Sequence, residues 1–290
     1  MVDTPLLYLN GEFLPPQAAK VSVFDRGFMF SDGAYEFLPV FGRRIFRLAQ
    51  HLERLDNSLH ALGIANPLSA TQWQTLCQRL IDTNRADDQS IYIHITRGVA
   101  PRDHHYPGSD VKPTVFAYAQ PLPTPTPAQF ANGVSAITAE DIRWSRCDIK
   151  ATALLANAML RQRAVETGAV EAILLRDGFM TEGAACNIFI VEDGRAVTPR
   201  KSSFILPGIT RDLVLELMHA GGMPCEERAV SEAQLRAADE IWLTSSSREI
   251  LAIVKLDGEP IGNGRPGPAH ARALALYRDY KQAFIDGKVE

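Results

Sequence analysis

The chain has 290 residues, with 30 Lys or Arg against 34 Asp or Glu and a formal net charge of −4. That length suits one large or two modest domains with a sizeable core. The slightly negative balance, with no long basic run, argues against electrostatic binding of nucleic acid, and no apolar run is long enough to span a membrane.

The N-terminal segment MVDTPLLYLNGEFLPP has no basic start followed by an apolar stretch, so no signal peptide is expected. Leu6 to Leu9, Asn10-Gly11 and Glu12 to Leu14 read as a hairpin. Glu36 to Phe41, Gly42-Arg43 and Arg44 to Leu48 suggest a second strand pair. Leu52, Leu55, Leu59 and Leu62 recur at helical spacing, and Gly63 stops the run. Trp73 to Asn84 predicts another helix. Ile91, Ile93 and Ile95 alternate with Tyr92, His94 and Thr96, which predicts a strand with one apolar face. Val115 to Ala119 is a further strand. Prolines at every second position then favour an extended connector. This places a domain boundary at residues 121–129, between a small N-terminal domain (1–120) and a larger C-terminal one (130–290).

The second half opens with a strand near Val134 to Ala139. Lys150 directly precedes an Ala- and Leu-rich helix, roughly Ala153 to Glu166, ended by Gly168. Asp177-Gly178 and Asp193-Gly194 mark hairpins. Gly208-Ile209-Thr210 leads into a helix from Arg211 to Ala220, closed by Gly221-Gly222. Strands from Glu240 to Thr244 and Leu251 to Leu256, a turn at Asp257-Gly258 and a helix from Ala269 to Ile285 complete the chain. The pattern is α+β, hairpin-rich and mostly antiparallel, without regular β-α alternation. The four cysteines, Cys77, Cys147, Cys186 and Cys225, are scattered, which argues against a zinc site or a disulfide framework. Free thiols in a reducing cytoplasm are expected.

Four segments carry residues suited to chemistry. Lys150 reads either as a lysine with its head in water or as a desolvated, nucleophilic amine of lowered pKa. Glu182, in Thr181-Glu182-Gly183-Ala184-Ala185-Cys186-Asn187, reads either as a turn carboxylate in solvent or as a partner for a cationic ring nitrogen. Gly208-Ile209-Thr210-Arg211 offers free N–H groups at a helix start, a place for phosphate or an ordinary N-cap. The Thr244-Ser245-Ser246-Ser247 run adds hydroxyls or is a plain loop. Arg102, Asp103, His104 and His105 cluster in a loop that is either solvated or a carboxylate clamp.

Taken in order, these segments resemble the class IV (fold type IV) aminotransferases along nearly the whole chain. Phe24-Asp25-Arg26-Gly27-Phe28, Ser31-Asp32-Gly33-Ala34-Tyr35-Glu36 and His51-Leu52-Glu53-Arg54-Leu55 look like the family's N-terminal blocks. Arg146-Cys147-Asp148-Ile149-Lys150 looks like the block around the cofactor lysine. Within the class, Arg102 and His104 stand where D-amino acid aminotransferases keep an Arg-x-His pair. The resemblance implies a homodimer with shared active sites. Lys150 would carry pyridoxal 5′-phosphate and move a proton as base and acid, and Glu182 would pair with the ring nitrogen. Arg54, Ile209, Thr210 and Ser246 would hold the phosphate. Tyr35 would trap the substrate carboxylate together with Arg102 and His104 of the neighbouring subunit. The implied reaction is amino transfer between a D-amino acid, such as D-alanine or D-glutamate, and a 2-oxo acid. Rivals of the same fold are a branched-chain L-amino acid aminotransferase, an (R)-amine transaminase and an aminodeoxychorismate lyase. Rivals of other classes are a non-catalytic cofactor carrier and a binder of phosphate-bearing sugars or nucleotides. Two departures bear on the substrate range: Ala184, Ala185 and Cys186 replace family serines, and Pro39 interrupts a strand that usually continues without proline.

Overall fold

The computed structural model describes residues 4–289. Residues 1–3, where the segment read against a leader begins, and residue 290, the last of the expected C-terminal domain, lie outside them. The chain divides into two compact units.

The first unit contains β1 (Leu7–Leu9), β2 (Glu12–Leu14), α1 (Arg26–Phe30), β3 (Gly33–Phe41), β4 (Arg44–Ile45), α2 (Leu48–Ala61), α3 (Ala70–Thr83), β5 (Gln89–Thr96) and β6 (Thr114–Pro121). β1 and β2 form the expected hairpin. Asn10 (φ 50°) and Gly11 (φ 102°) take left-handed backbone values that few other residues tolerate. The sheet runs β2-β1-β6-β5-β3-β4, antiparallel throughout. Strand alternation puts Ile91, Ile93 and Ile95 on one face with Leu38 and Val40. There they pack under Leu55 and Leu59 of α2 and Trp73, Leu80 and Ile81 of α3. Burying each such side chain contributes about 1.5–3 kcal/mol. The opposite face carries the half-buried Tyr35, Tyr92, His94, Phe116 and Tyr118.

Pro39 does not break its strand: β3 continues through it and pairs with Ser90. The Pro39 carbonyl accepts from Phe46 N on the β4 side. The ring nitrogen faces that same side, beyond the end of the β4 pairing at Val40 and Phe41, so the missing donor costs no bond of the β3–β5 ladder.

The second unit contains α4 (Pro127–Asn132), β7 (Val134–Glu140), α5 (Leu155–Glu166), β8 (Glu171–Arg176), β9 (Phe179–Gly183), β10 (Asn187–Glu192), β11 (Arg195–Thr198), α6 (Ile209–Ala220), β12 (Cys225–Glu227), α7 (Glu232–Ala237), β13 (Glu240–Ser245), β14 (Glu249–Leu256), β15 (Glu259–Pro260) and α8 (Pro268–Ile285). The sheet order is β12-β11-β10-β13-β14-β7-β8-β9, with β15 on β14. Parallel pairs occur at β11/β12, β14/β7 and β7/β8; the rest are antiparallel. Ile188, Ile190, Ile241, Leu243, Leu251 and Ile253 form the core of this sheet.

Three expectations need correction. The proline segment is not extended throughout. Gln120 and Pro121 end β6, and Pro127 starts α4, because Thr126 caps that helix in a reciprocal box with Gln129 and proline is well tolerated in a first turn. The helix after Lys150 starts at Leu155 rather than Ala153, so Lys150 is not at a helix N-terminus. Residues 149–154, expected in the C-terminal domain, pack with the first unit, where Ala151 bridges Ala34 of β3.

Candidate active site

In the first unit the chain around Lys150 is stitched to the β3 edge. Lys150 N donates to Ser58 Oγ (3.1 Å), and its carbonyl accepts from Tyr35 N (2.9 Å). Thr152 N donates to the Gly33 carbonyl (3.0 Å) and Thr152 Oγ1 to that of Ser31 (2.7 Å). With its backbone held on both sides, Lys150 extends its amine to 4.1 Å from the centre of the Tyr35 ring. It is the one buried lysine of the seven in the chain.

Behind it lies a charged cluster that the sequence had shown only as separate blocks. Glu36, fully buried, accepts from Arg54 Nε (3.0 Å) and Nη2 (2.6 Å), lies 3.1 Å from His51 Nδ1, and accepts from Phe37 N (2.8 Å). Burial alone would raise the Glu36 carboxyl, but Arg54 and His51 hold it far below the usual range. Burial depresses His51, and the charges of Arg54 and Lys150 add to that against the pull of Glu36. His51 Nε2 is buried without a hydrogen-bond partner.

In the second unit Glu182 is the last residue but one of β9, 3 % exposed. Arg143 Nη1 donates to Oε1 (2.5 Å), Asn187 Nδ2 to Oε2 (3.0 Å), and Leu206 N to both oxygens (3.1 Å). Asp141 grips Arg143 from behind at 2.9 Å through both carboxylate oxygens. The solvent-facing alternative for Glu182 is therefore wrong. Sequence reasoning missed Asp141 and Arg143; a buried carboxylate needs a cation, but Arg143 lies 39 residues away and no local signal links it to Glu182. Burial nonetheless pushes Glu182 up to about 7 from its ordinary 4.5, against the pull of Arg143 and Leu206 N.

A carboxyl raised in the folded state contributes stability below about 4.5 that is lost as pH rises through about 7, on the order of 3 kcal/mol in all. Comparing denaturant unfolding of cofactor-free wild type and Glu182→Gln at pH 4.5 and 7.5 isolates this group. The stability difference between them is expected to shift by about that amount in favour of the variant at the higher pH; a difference independent of pH would sink the assignment.

Gly208 is the N-cap of α6 and supplies no side-chain cap, so the N–H groups of Ile209, Thr210 and Arg211 precede the first helical bond, Asp212 N to the Gly208 carbonyl (2.9 Å). A side chain at 208 would collide with Asn187 Oδ1, which a Cβ would meet at 1.9 Å. Ser246 lies in the β13–β14 turn, and the neighbouring Thr244 Oγ1 is buried without a partner. Ala184, Ala185 and Cys186 are held from beneath. The buried Glu171 accepts from Ala184 N (3.2 Å) and Arg248 Nη2 (2.7 Å), and Arg248 Nη2 also reaches the Ala185 carbonyl (3.2 Å).

Arg102 and His104 lie in the exposed β5–β6 loop. The Arg102 guanidinium is 5.4 Å and the His104 ring 5.7 Å from the Phe30 ring centre. The fold thus gathers these two around Phe30, whereas Tyr35 lies against Lys150 and Tyr92.

The family model for amino-transferase class IV matches residues 33–256. A D-alanine aminotransferase of Bacillus licheniformis is 41% identical over 259 residues, 89% of this chain and 91% of that protein. One of Staphylococcus haemolyticus is 37% identical over 274 residues, 94% and 97% of the two chains. Among solved structures, a branched-chain amino acid aminotransferase of Escherichia coli superposes with a TM-score of 0.90 at 26% identity, covering 99% of this chain and 97% of that one. A branched-chain amino acid aminotransferase of Thermoproteus uzoniensis, solved with norvaline, superposes with a TM-score of 0.86 at 27% identity, covering 98% and 96%.

Proposed function

The chain belongs to the class IV aminotransferases, and we propose that it moves the amino group of a D-amino acid, D-alanine or D-glutamate among them, to a 2-oxo acid, with pyridoxal 5′-phosphate as cofactor. The observation that carries this reading is Lys150, a buried amine presented over Tyr35 by backbone bonds on both sides. The choice of D-amino acids is supported by the D-alanine aminotransferases at 37–41% identity.

The donors present suit a phosphorylated pyridine. His51 Nε2 and Thr244 Oγ1 are buried polar atoms without partners, and the α6 N-terminus offers uncapped N–H groups suited to an anion. In this reading Arg54, Ile209, Thr210 and Ser246 hold the phosphate and Lys150 carries the cofactor. When bound, pyridoxal phosphate supplies an aldehyde carbon for the substrate amine and a ring that draws electron density from the substrate Cα. Lys150 Nζ would take the proton from Cα as general base and give it, as general acid, to the cofactor's aldehyde carbon. Glu182, supported by Arg143, Asn187 and Leu206 N, holds the proton of the ring nitrogen. Arg54 keeps its orientation because the buried Glu36 carboxylate grips its fork.

Tyr35, with Arg102 and His104 from the second subunit of a homodimer, traps the α-carboxylate. The apolar surface beside the Arg102 loop supports the dimer: Val23, Phe24, Phe28 and Val99 are 63%, 60%, 76% and 49% exposed, and Val99 bridges Asp25 next to Phe24. No helix among the described residues is long and apolar enough to cross a membrane.

Half-reactions followed by absorbance are expected to proceed with D-alanine and not with L-alanine; the reverse would overturn the stereochemical reading. Arg102→Leu is expected to raise KM for D-alanine at least about tenfold, the loss of one charge-assisted partner, without altering the cofactor spectrum. Mixing inactive Lys150→Ala chains with Arg102→Leu chains should restore activity. Each heterodimer then has one site with both its lysine and its partner's trap intact. Absence of recovery after verified subunit exchange would count against a trap supplied in trans.

A further inference from the structure

Arg26 and Asp32, in the N-terminal blocks, have no part in the mechanism above, yet their charged side chains are buried together. Arg26 is 3% exposed. Its Nε donates to Asp32 Oδ2 (2.7 Å), and Arg97 Nε and Nη2 grip the same carboxylate (2.8 and 3.0 Å). Asp32 is held below the usual carboxylate range because these two guanidiniums outweigh its burial. Two cations around one anion exceed what charge balance requires. The remaining nitrogens show what the arrangement serves. Arg26 Nη1 donates to the carbonyl of Asp103 (2.7 Å) and reaches that of His105 (3.4 Å), the two residues that flank His104. Arg97 Nη1 and Nη2 hold the carbonyls of Gly63 and Leu62 (3.1 and 2.6 Å), while its guanidinium stacks 3.6 Å from the Tyr106 ring centre. The Arg26 guanidinium also lies 4.8 Å from the Phe30 ring, the same ring that Arg102 and His104 flank.

Neighbouring contacts fix the two ends of the loop. Asp25 caps α1 through Gly27 N (2.8 Å) and accepts from Thr114 Oγ1 (2.6 Å), where β6 begins. Arg26 N donates to the Gly98 carbonyl (2.9 Å), where the loop leaves β5. Gly98 (φ 104°) approaches the Lys112 carbonyl so closely that a Cβ would lie 2.1 Å from it.

We propose that the Asp32-centred pair Arg26 and Arg97 positions the exposed loop so that Arg102 and His104 are presented at a set spacing for a carboxylate. Arg26 is a positioning residue for substrate recognition. The proposal rests on the reading of Arg102 and His104 as the carboxylate trap. An arginine fork needs its partner aligned, and an exposed loop does not supply that alignment unless its backbone is held.

The test uses the holoenzyme and Arg26→Lys, which keeps a cation for Asp32 but cannot bond Asp32 and the Asp103 carbonyl as a fork. Steady-state kinetics with D-alanine and pyruvate are expected to show KM raised on the order of tenfold or more, with kcat changed less and the cofactor absorbance spectrum retained. In an Arg102→Leu background, Arg26→Lys is expected to add a smaller rise than it causes alone, the part that acts through His104. Phe30→Leu, which removes the ring platform and none of the charges, should reproduce the KM effect in weaker form and covers the case of Arg26→Lys failing to fold. If Arg102→Leu raises KM while Arg26→Lys and Phe30→Leu leave it at the wild-type value, the positioning role is wrong and the trap stands. If Arg102→Leu itself leaves KM unchanged, the trap reading and the positioning role fall together.

Discussion

Lys150→Ala is expected to abolish transamination, a loss of several orders of magnitude, because the variant removes the amine that both carries the cofactor and moves the Cα proton. The fold should survive the change. The bonds that fix residue 150, from its N–H to Ser58 Oγ and from Tyr35 N to its carbonyl, involve backbone atoms that alanine keeps. What is lost is a cation over the Tyr35 ring, worth about 0.5–2 kcal/mol. The other six lysines offer no substitute: Lys281 is half-buried and paired with Glu249, and the others are exposed. Borohydride reduction of the holoenzyme followed by peptide mapping checks the assignment. The pyridoxyl label is expected on the peptide containing Lys150, and a label on any other lysine would sink it.

The second large effect is expected at Glu182. Glu182→Gln should retain the cofactor and slow single-turnover amino transfer by about 10²–10³-fold, the usual scale for losing one preorganised electrostatic partner. A neutral amide does not hold the ring-nitrogen proton. The surroundings tolerate the swap. Arg143 keeps both bonds to Asp141, so no guanidinium is left buried and unpaired, and the amide oxygen still accepts from Leu206 N. One mismatch arises, since the amide nitrogen would meet the Asn187 Nδ2 donor. Arg143→Met is the informative companion. It removes the cation that pulls Glu182 down and leaves the Leu206 N–H to oppose burial, so the pH below which turnover declines should move upward. Single-turnover rates near wild type for Glu182→Gln would remove Glu182 from the mechanism.

Periodicity made most of the architecture legible. The Ile91-Ile93-Ile95 alternation, the leucine spacing of α2 and the Asn-Gly and Asp-Gly hairpins are all local signals. They depend on side-chain direction and backbone preference within a few residues. Short elements escaped: α1, α4, α7 and β12 are three to six residues long, too short for a hydrophobic period to register. The three helices nonetheless carried readable cues in their caps, Asp25, Thr126 and Ser231.

From residues alone, the sequence determined an α+β chain with hairpins, and the order of its motifs pointed to class IV aminotransferases. It left Lys150, Glu182 and the Gly208 turn each with two readings, because a side chain's chemistry depends on what surrounds it. Only tertiary structure supplied those surroundings. It took Lys150 off a helix end and stitched it to β3, against Tyr35. It put Arg143 and Asp141, from a distant stretch of the chain, behind Glu182. It joined Arg26, Asp32 and Arg97 across a separation of 71 residues, from 26 to 97. Burial and long-range pairing set charge, orientation and proton affinity at these positions. Neither is a function of local sequence, whereas turns and helical faces are.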